Sequence, residues 1–149
     1  MPSMKEYWDE INWSRMYDPN EITEIISSKN ISNWAKIHPL TVIPNRIDKS
    51  LIPIDFAMFR LMSVTTVGPG VRVAPHSHNE PVFRFFLEGS VVLNGVHYKA
   101  GDWLLIPKDT DYELETKDGY TALVDYGMRC GAPPNGDVLL SSRDKPEHD

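Results

Sequence analysis

The chain has 149 residues, 41% hydrophobic and 24% charged, the length and mix of one soluble domain with its own core. Fifteen Lys and Arg against 21 Asp and Glu leave a formal charge of −6, a poor match to a phosphate backbone, so no nucleic-acid partner is expected. No apolar run is long enough to span a bilayer, residues 1–20 lack the apolar core of a secretory signal, and the lone Cys130 forbids an intrachain disulfide; no membrane partner and a cytoplasmic location are expected.

The first fifty residues read as a helical and extended segment that packs on the remainder of the chain. Tyr7, Trp8, Ile11 and Met16 recur at loosely helical spacing over 5–16. Asp18-Pro19-Asn20-Glu21 has the residues of a helix start: a capping Asp, a Pro in the first turn and a Glu at the third position. Ile22, Ile25 and Ile26 would follow on that helix, with a further short one over 32–37 ended by Pro39. Residues 41–54 look extended, punctuated by Pro44 and Pro53.

From Phe56 the hydrophobic period changes to two. Strands are predicted over 56–65, 71–78, 82–87, 90–93, 97–99, 103–106, 112–116 and 120–126. Gly68-Pro69-Gly70, Asn94-Gly95 and Lys117-Asp118-Gly119 supply turns, Asn-Gly being the strongest short hairpin signal. Short strands at this spacing predict an all-β sandwich or barrel over 51–131, followed by a polar tail over 132–149.

Gly70, His76-Ser77-His78 and Leu87-Glu88-Gly89 resemble the first motif of the cupins, and Gly101-Asp102 with Pro107 resembles the start of the second. The resemblance covers about half of the chain and implies a jelly-roll barrel, a double-stranded β-helix with a ligand cavity at one mouth. It also implies a small-molecule substrate, a homodimer and a divalent metal ion, with iron(II) favoured and zinc, manganese or nickel as alternatives. Within the family, the run from His76 to Ser90 looks most like dioxygenases that cleave diketones, acetylacetone among them, or dihydroxyacetophenones. Two positions depart from the family pattern. Val82 stands where the first-motif glutamate is usual, and Tyr112 where the second-motif histidine is usual.

Residues two apart on a strand share a face, so His76 and His78 are expected to project together as two imidazoles on one metal require. The same parity places Arg72, Ala74, Glu80, Val82, Arg84 and Phe86 with them, if the strand stays regular past Pro81. Glu80 is then a third metal ligand, and Tyr112 a fourth ligand or a hydrogen-bond donor to substrate. Arg84 would fork onto a substrate carboxylate or enolate, with Arg72 at the mouth. Phe86, Val82 and Phe56 or Met58 would form the apolar wall. The bland alternatives are a histidine pair satisfied by water, Glu80 or Tyr112, and an internal ion pair between Arg84 and Glu80. They lead to a second function: a barrel without turnover that holds a small anion between Arg84 and Tyr112, or serves as a dimer scaffold. The opposite strand face, with Val71, Val73, Phe83, Phe85 and Leu87, must be covered by the N-terminal helices or a partner subunit. His38, His97, His148 and Cys130 rank as linker, surface, tail and unassisted thiol, and Asp125 as solvated.

Overall fold

The computed structural model describes residues 4–41 and 43–127. Cys130, His148 and the tail read over 132–149 lie outside the described residues. A helix, α1 (Met4–Glu10), precedes eight strands: β1 (Ile26–Ser27), β2 (Leu61–Val67), β3 (Arg72–His76), β4 (Val82–Leu93), β5 (Val96–Lys99), β6 (Trp103–Ile106), β7 (Tyr112–Glu115) and β8 (Tyr120–Tyr126).

The longest strand organises the rest. The sequence predicts two strands on either side of Gly89, but β4 runs through it. Gly89 adopts φ 78°, open to a residue without a Cβ, and the register with β8 shifts between Phe86 and Glu88. The glycine and the bulge bend the strand without ending it. Its first half pairs antiparallel with β6 and β8, and its second half with β5 and β7. Beyond these, β2 pairs with β8, β1 with β6, and β3 with β7. Two antiparallel sheets sharing one bent strand make the jelly-roll barrel expected from the sequence. Alternate residues point inward. Val82, Phe86, Val91, Leu93, Leu104, Ile106, Leu114, Ala122 and Val124 pack into one buried cluster between the sheets.

The outer face of β4 and β6 carries a second cluster. Phe83, Trp103 and Leu105 are buried there with Ile54, packed by Ile22, Ile26, Ile31, Trp34, Ile52 and Phe56. The N-terminal segment therefore covers Phe83 and Phe85, but of the other residues expected on that face Val73 lies in the inner cluster with Val71 packed against it, and Leu87 is exposed. The segment packs there with less helix than its spacing predicts. After Pro19 the chain makes one turn, with the Glu21 amide donating to the Asp18 carbonyl at 3.0 Å. It then leaves to lay β1 against β6. Residues 34–36 form one 3-10 turn, which sets Trp34 edge-on to Trp103 at 5.5 Å. Residues 56–60 are no strand either, because the Phe59 amide closes a turn onto the Phe56 carbonyl at 3.0 Å. A polar strap fixes the register of this segment. Ser28 Oγ donates to Asp102 Oδ1 at 3.0 Å and accepts from the Trp103 amide at 3.1 Å. Each such bond is worth about 0.5–1.5 kcal/mol, against roughly 1.5–3 for each large apolar side chain buried. Packing thus holds the segment and the strap aligns it.

Two corrections concern single residues. His38, read as a linker residue, is buried at 3% exposure. Asp125, read as solvated, is half-buried on β8 between Met62 of β2 and Phe83 of β4. Burial pushes its carboxyl up from the ordinary aspartate value.

The close approach at Gly89 and the burial of Asp125 each make a prediction. A Cβ on Gly89 would lie 2.2 Å from the Gly119 carbonyl oxygen, so backbone must move to admit it. Gly89→Ala is expected to cost about 3 kcal/mol and to lower the thermal midpoint by several degrees, followed by circular dichroism; an unchanged midpoint would contradict the packing. Asp125 holds its proton more tightly folded than unfolded, so it favours folding most at low pH, and that contribution is lost as pH rises through the folded value. Asp125→Asn should therefore unfold at a higher temperature than wild type at pH 7. The difference should shrink as pH falls toward the unfolded value of about 3.9. A difference that grows on acidification would refute the sign.

Candidate functional site

One hydroxyl gathers the polar side chains of the barrel. Tyr112 opens β7 and is 1% exposed, with its ring in the inner cluster. Its Oη lies 3.1 Å from His76 Nε2, 3.0 Å from His78 Nε2 and 3.0 Å from Arg84 Nη2. Arg84 projects from β4 into the same interior, 1% exposed, and donates from Nη1 to Tyr120 Oη at 3.2 Å. His76 and His78 are half-buried, ring centroids 5.1 Å apart and planes at 85°.

The hydrogen-bond directions follow from chemistry. His76 Nδ1 is 2.9 Å from the Ala74 carbonyl, an obligate acceptor, so Nδ1 carries the proton. In neutral His76, Nε2 is then the accepting nitrogen and takes the hydroxyl proton of Tyr112. The phenol has one proton, so His78 Nε2 must donate its own. Arg84 Nη2 also donates, because a guanidinium cannot accept. Tyr112 thus gives one bond and receives two.

Local backbone explains which expected residues reach the site. On β3, Val73 pairs with Leu114, while His76 pairs with Tyr112. A step of three residues on β3 matches a step of two on β7, a bulge that reverses the facing of the residues before it. Val73 therefore points into the core and Arg72 points out. Arg72 does not join the histidines: its side chain is 69% exposed and meets Glu113 at 3.7 Å. A second correction concerns Glu80. β3 ends at His76 and the chain bends at Asn79 and Glu80, so strand alternation does not carry Glu80 to the histidines. Its carboxyl packs over Gly127, where an added Cβ would sit 2.9 Å from Cδ. Among the described residues, no three His, Cys, Asp or Glu side chains are grouped to hold a metal ion.

His78 reaches Tyr112 from the loop beyond β3, its carbonyl anchored by the Asp109 amide at 2.7 Å. Val82 and Phe86 face inward with Arg84 and are fully buried; Phe86 stacks on Tyr98 at 5.7 Å. Phe56 does not face the barrel interior. It packs edge-on to Phe83 at 4.8 Å on the outer face, and Met58 lies in the adjoining turn. Tyr120 is the site residue that the sequence reading missed. Its signal is the inward parity of Tyr120, Ala122 and Val124.

The donor set suits a metal ion in one arrangement. Two imidazole nitrogens lie 3.0 and 3.1 Å from one phenol oxygen. That is about the spacing of neighbouring ligands on an ion with bonds of roughly 2.1 Å. The Ala74 carbonyl also orients the His76 ring as the outer partners of metal-binding histidines do. His76, His78 and Tyr112 therefore fit an ion, whereas His76, His78 and Glu80 do not.

No protein-family model matches the sequence, and no curated protein matches it. Solved structures with a similar arrangement include a cupin superfamily protein of Desulfitobacterium hafniense, at 16% identity over 44% of this chain and 64% of that one, TM-score 0.42. The matched part thus spans just under two thirds of that protein. A bacterial pirin of Escherichia coli in complex with nickel(II) matches at 19% identity, over 44% of this chain and 30% of its own, TM-score 0.37. A variant salicylate 1,2-dioxygenase of Pseudoaminobacter salicylatoxidans in complex with gentisate matches at 18%, over 53% and 22%, TM-score 0.39. At these values no residue role passes from them to this chain. Among the described residues, no helix is long and apolar enough to cross a membrane.

The network predicts a measurable cost for losing its hub. Tyr112→Phe strips a shared partner from His76, His78 and Arg84, and is expected to destabilise the fold by about 1–3 kcal/mol in urea unfolding. An unchanged midpoint would mean that the hydroxyl makes no such bonds in solution.

Proposed function

We propose that the barrel is the site of a metal-dependent enzyme acting on a small oxygenated substrate, with the ion held by His76, His78 and Tyr112. The observation that carries this reading is the convergence of two imidazole Nε2 atoms on one oxygen inside an apolar barrel. Three protein ligands with room left for substrate is the usual make-up of a catalytic metal site. When bound, the ion would supply Lewis acidity or, as iron(II), a place for O₂ in oxidative cleavage of a diketone, phenolic or carboxylate substrate, the dioxygenase reading that the motif resemblance implies.

The protein's own residues do the rest. The bond from His76 Nδ1 to the Ala74 carbonyl leaves Nε2 with a lone pair toward the site. Arg84 brings a fixed positive charge to the same interior, suited to a substrate carboxylate or enolate. Val82 and Phe86 exclude water around it, which strengthens each of these interactions. A homodimer belongs to the same proposal. Among the described strands β2 pairs with β8 alone, and Leu61, Met62 and Val64 on it are 55%, 65% and 69% exposed.

One observation favours a second reading, a barrel that binds a small anion without metal or turnover. The bonds to His76, His78 and Arg84 fill the hydrogen-bonding capacity of Tyr112 with no ion needed. Elemental analysis of protein purified without added metal decides between them. The metal reading expects near-stoichiometric iron, manganese, nickel or zinc that disappears in the His76→Ala/His78→Ala double variant. Absence of metal, with no uptake on titration, would leave the anion-binding barrel.

A further inference from the structure

We infer, resting on the metal reading above, that Tyr112 is the anionic ligand of this site, so that two neutral imidazoles and one phenolate hold the ion.

Three observations support the phenolate. A divalent ion against the buried Tyr112 is poorly solvated on that side and needs an anionic donor close by. Among the described residues Glu80 does not group with the two histidines to hold an ion, and Tyr112 Oη lies within reach of both Nε2 atoms. Two histidines with one carboxylate form a common donor set for iron(II); here a phenolate would supply the same single charge on oxygen. Finally, Arg84 Nη2 donates to that oxygen from a buried position. The guanidinium, itself 1% exposed, thereby fixes where that oxygen lies. Arg84 is thus a positioning residue for the ligand, and Tyr120 steadies its other nitrogen at 3.2 Å.

Binding is a proton-for-metal exchange. The Tyr112 O–H bond breaks as the oxygen–metal bond forms, and its proton leaves to solvent. The His78 proton passes from Nε2 to Nδ1 through solvent so that Nε2 offers its lone pair, and no electron moves. A phenolate bound to copper(II) absorbs visible light by charge transfer from ligand to metal, a signal that bound imidazole and carboxylate do not give there.

The test is titration of the metal-free protein with copper(II), following uptake by equilibrium dialysis and the visible spectrum together. Wild type should take up copper with a charge-transfer band. Tyr112→Phe should lose the band and bind roughly tenfold more weakly, while Tyr17→Phe, exposed on the N-terminal segment, should keep the band. Copper uptake without the band, or a band that survives in Tyr112→Phe, would overturn the phenolate and leave the metal reading standing. No uptake by wild type would overturn both. Should Tyr112→Phe fail to fold, resonance Raman of the wild-type complex replaces it: phenolate modes that shift with ring-deuterated tyrosine support the ligand, and their absence overturns it.

Discussion

The hydroxyl of Tyr112 is the constraint around which the interior is arranged. It is a buried polar atom in a cluster made mostly of aliphatic and aromatic carbon, and such an atom is costly unless its bonds are made. Three side chains from separate parts of the chain make them. His76 comes from the end of β3, His78 from the loop beyond it, and Arg84 from the middle of β4. Remove the hydroxyl, and two imidazoles and a guanidinium lose their common partner. The same oxygen is the point on which the two histidines, expected from sequence to bind a metal, converge.

The barrel exists in a form that permits this because of two local irregularities. The bulge on β3 turns Val73 and His76 inward together, which no regular strand would do for residues three apart. The positive φ at Gly89, with its close approach to Gly119, lets β4 bend and serve both sheets. Arg84 then faces β3 and β7 across the interior, while Phe83 and Trp103 face out to the N-terminal segment. The site is thus held by strands, and the cover of the outer face is a separate layer. A change in the Ser28–Asp102 strap would loosen the cover before it reached Tyr112.

The barrel was legible because its signals are local. Period-two alternation, Asn94-Gly95 and the glycine turns place β6 and β8 at their observed bounds and β7 within one residue. The inward aim of Arg84 and the outward aim of Phe83 follow from the same alternation. Arg72 and Glu80 were misplaced for one reason: parity is inherited along a strand only while the strand is regular. A bulge before His76 and a bend after His78 broke it on both sides. The helix expected after Pro19 failed for a different reason. Its capping residues form the first turn, but Ile26 and Ser27 gain backbone partners on β6, and a tertiary pairing outweighs a local propensity. The role of Tyr112 as hub lay beyond the sequence, since it depends on distances across strands 28 to 36 residues apart.

The central claim is the direction of the hydrogen bonds at Tyr112, and imidazole nitrogen NMR of the metal-free protein tests it most directly. Long-range proton–nitrogen correlation distinguishes the two neutral tautomers of each histidine. His76 is predicted to carry its proton on Nδ1, held by the Ala74 carbonyl, and His78 to carry its proton on Nε2, facing Tyr112. Finding His76 protonated on Nε2 alone would contradict this, because the hydroxyl would then have no acceptor there and the network would not form.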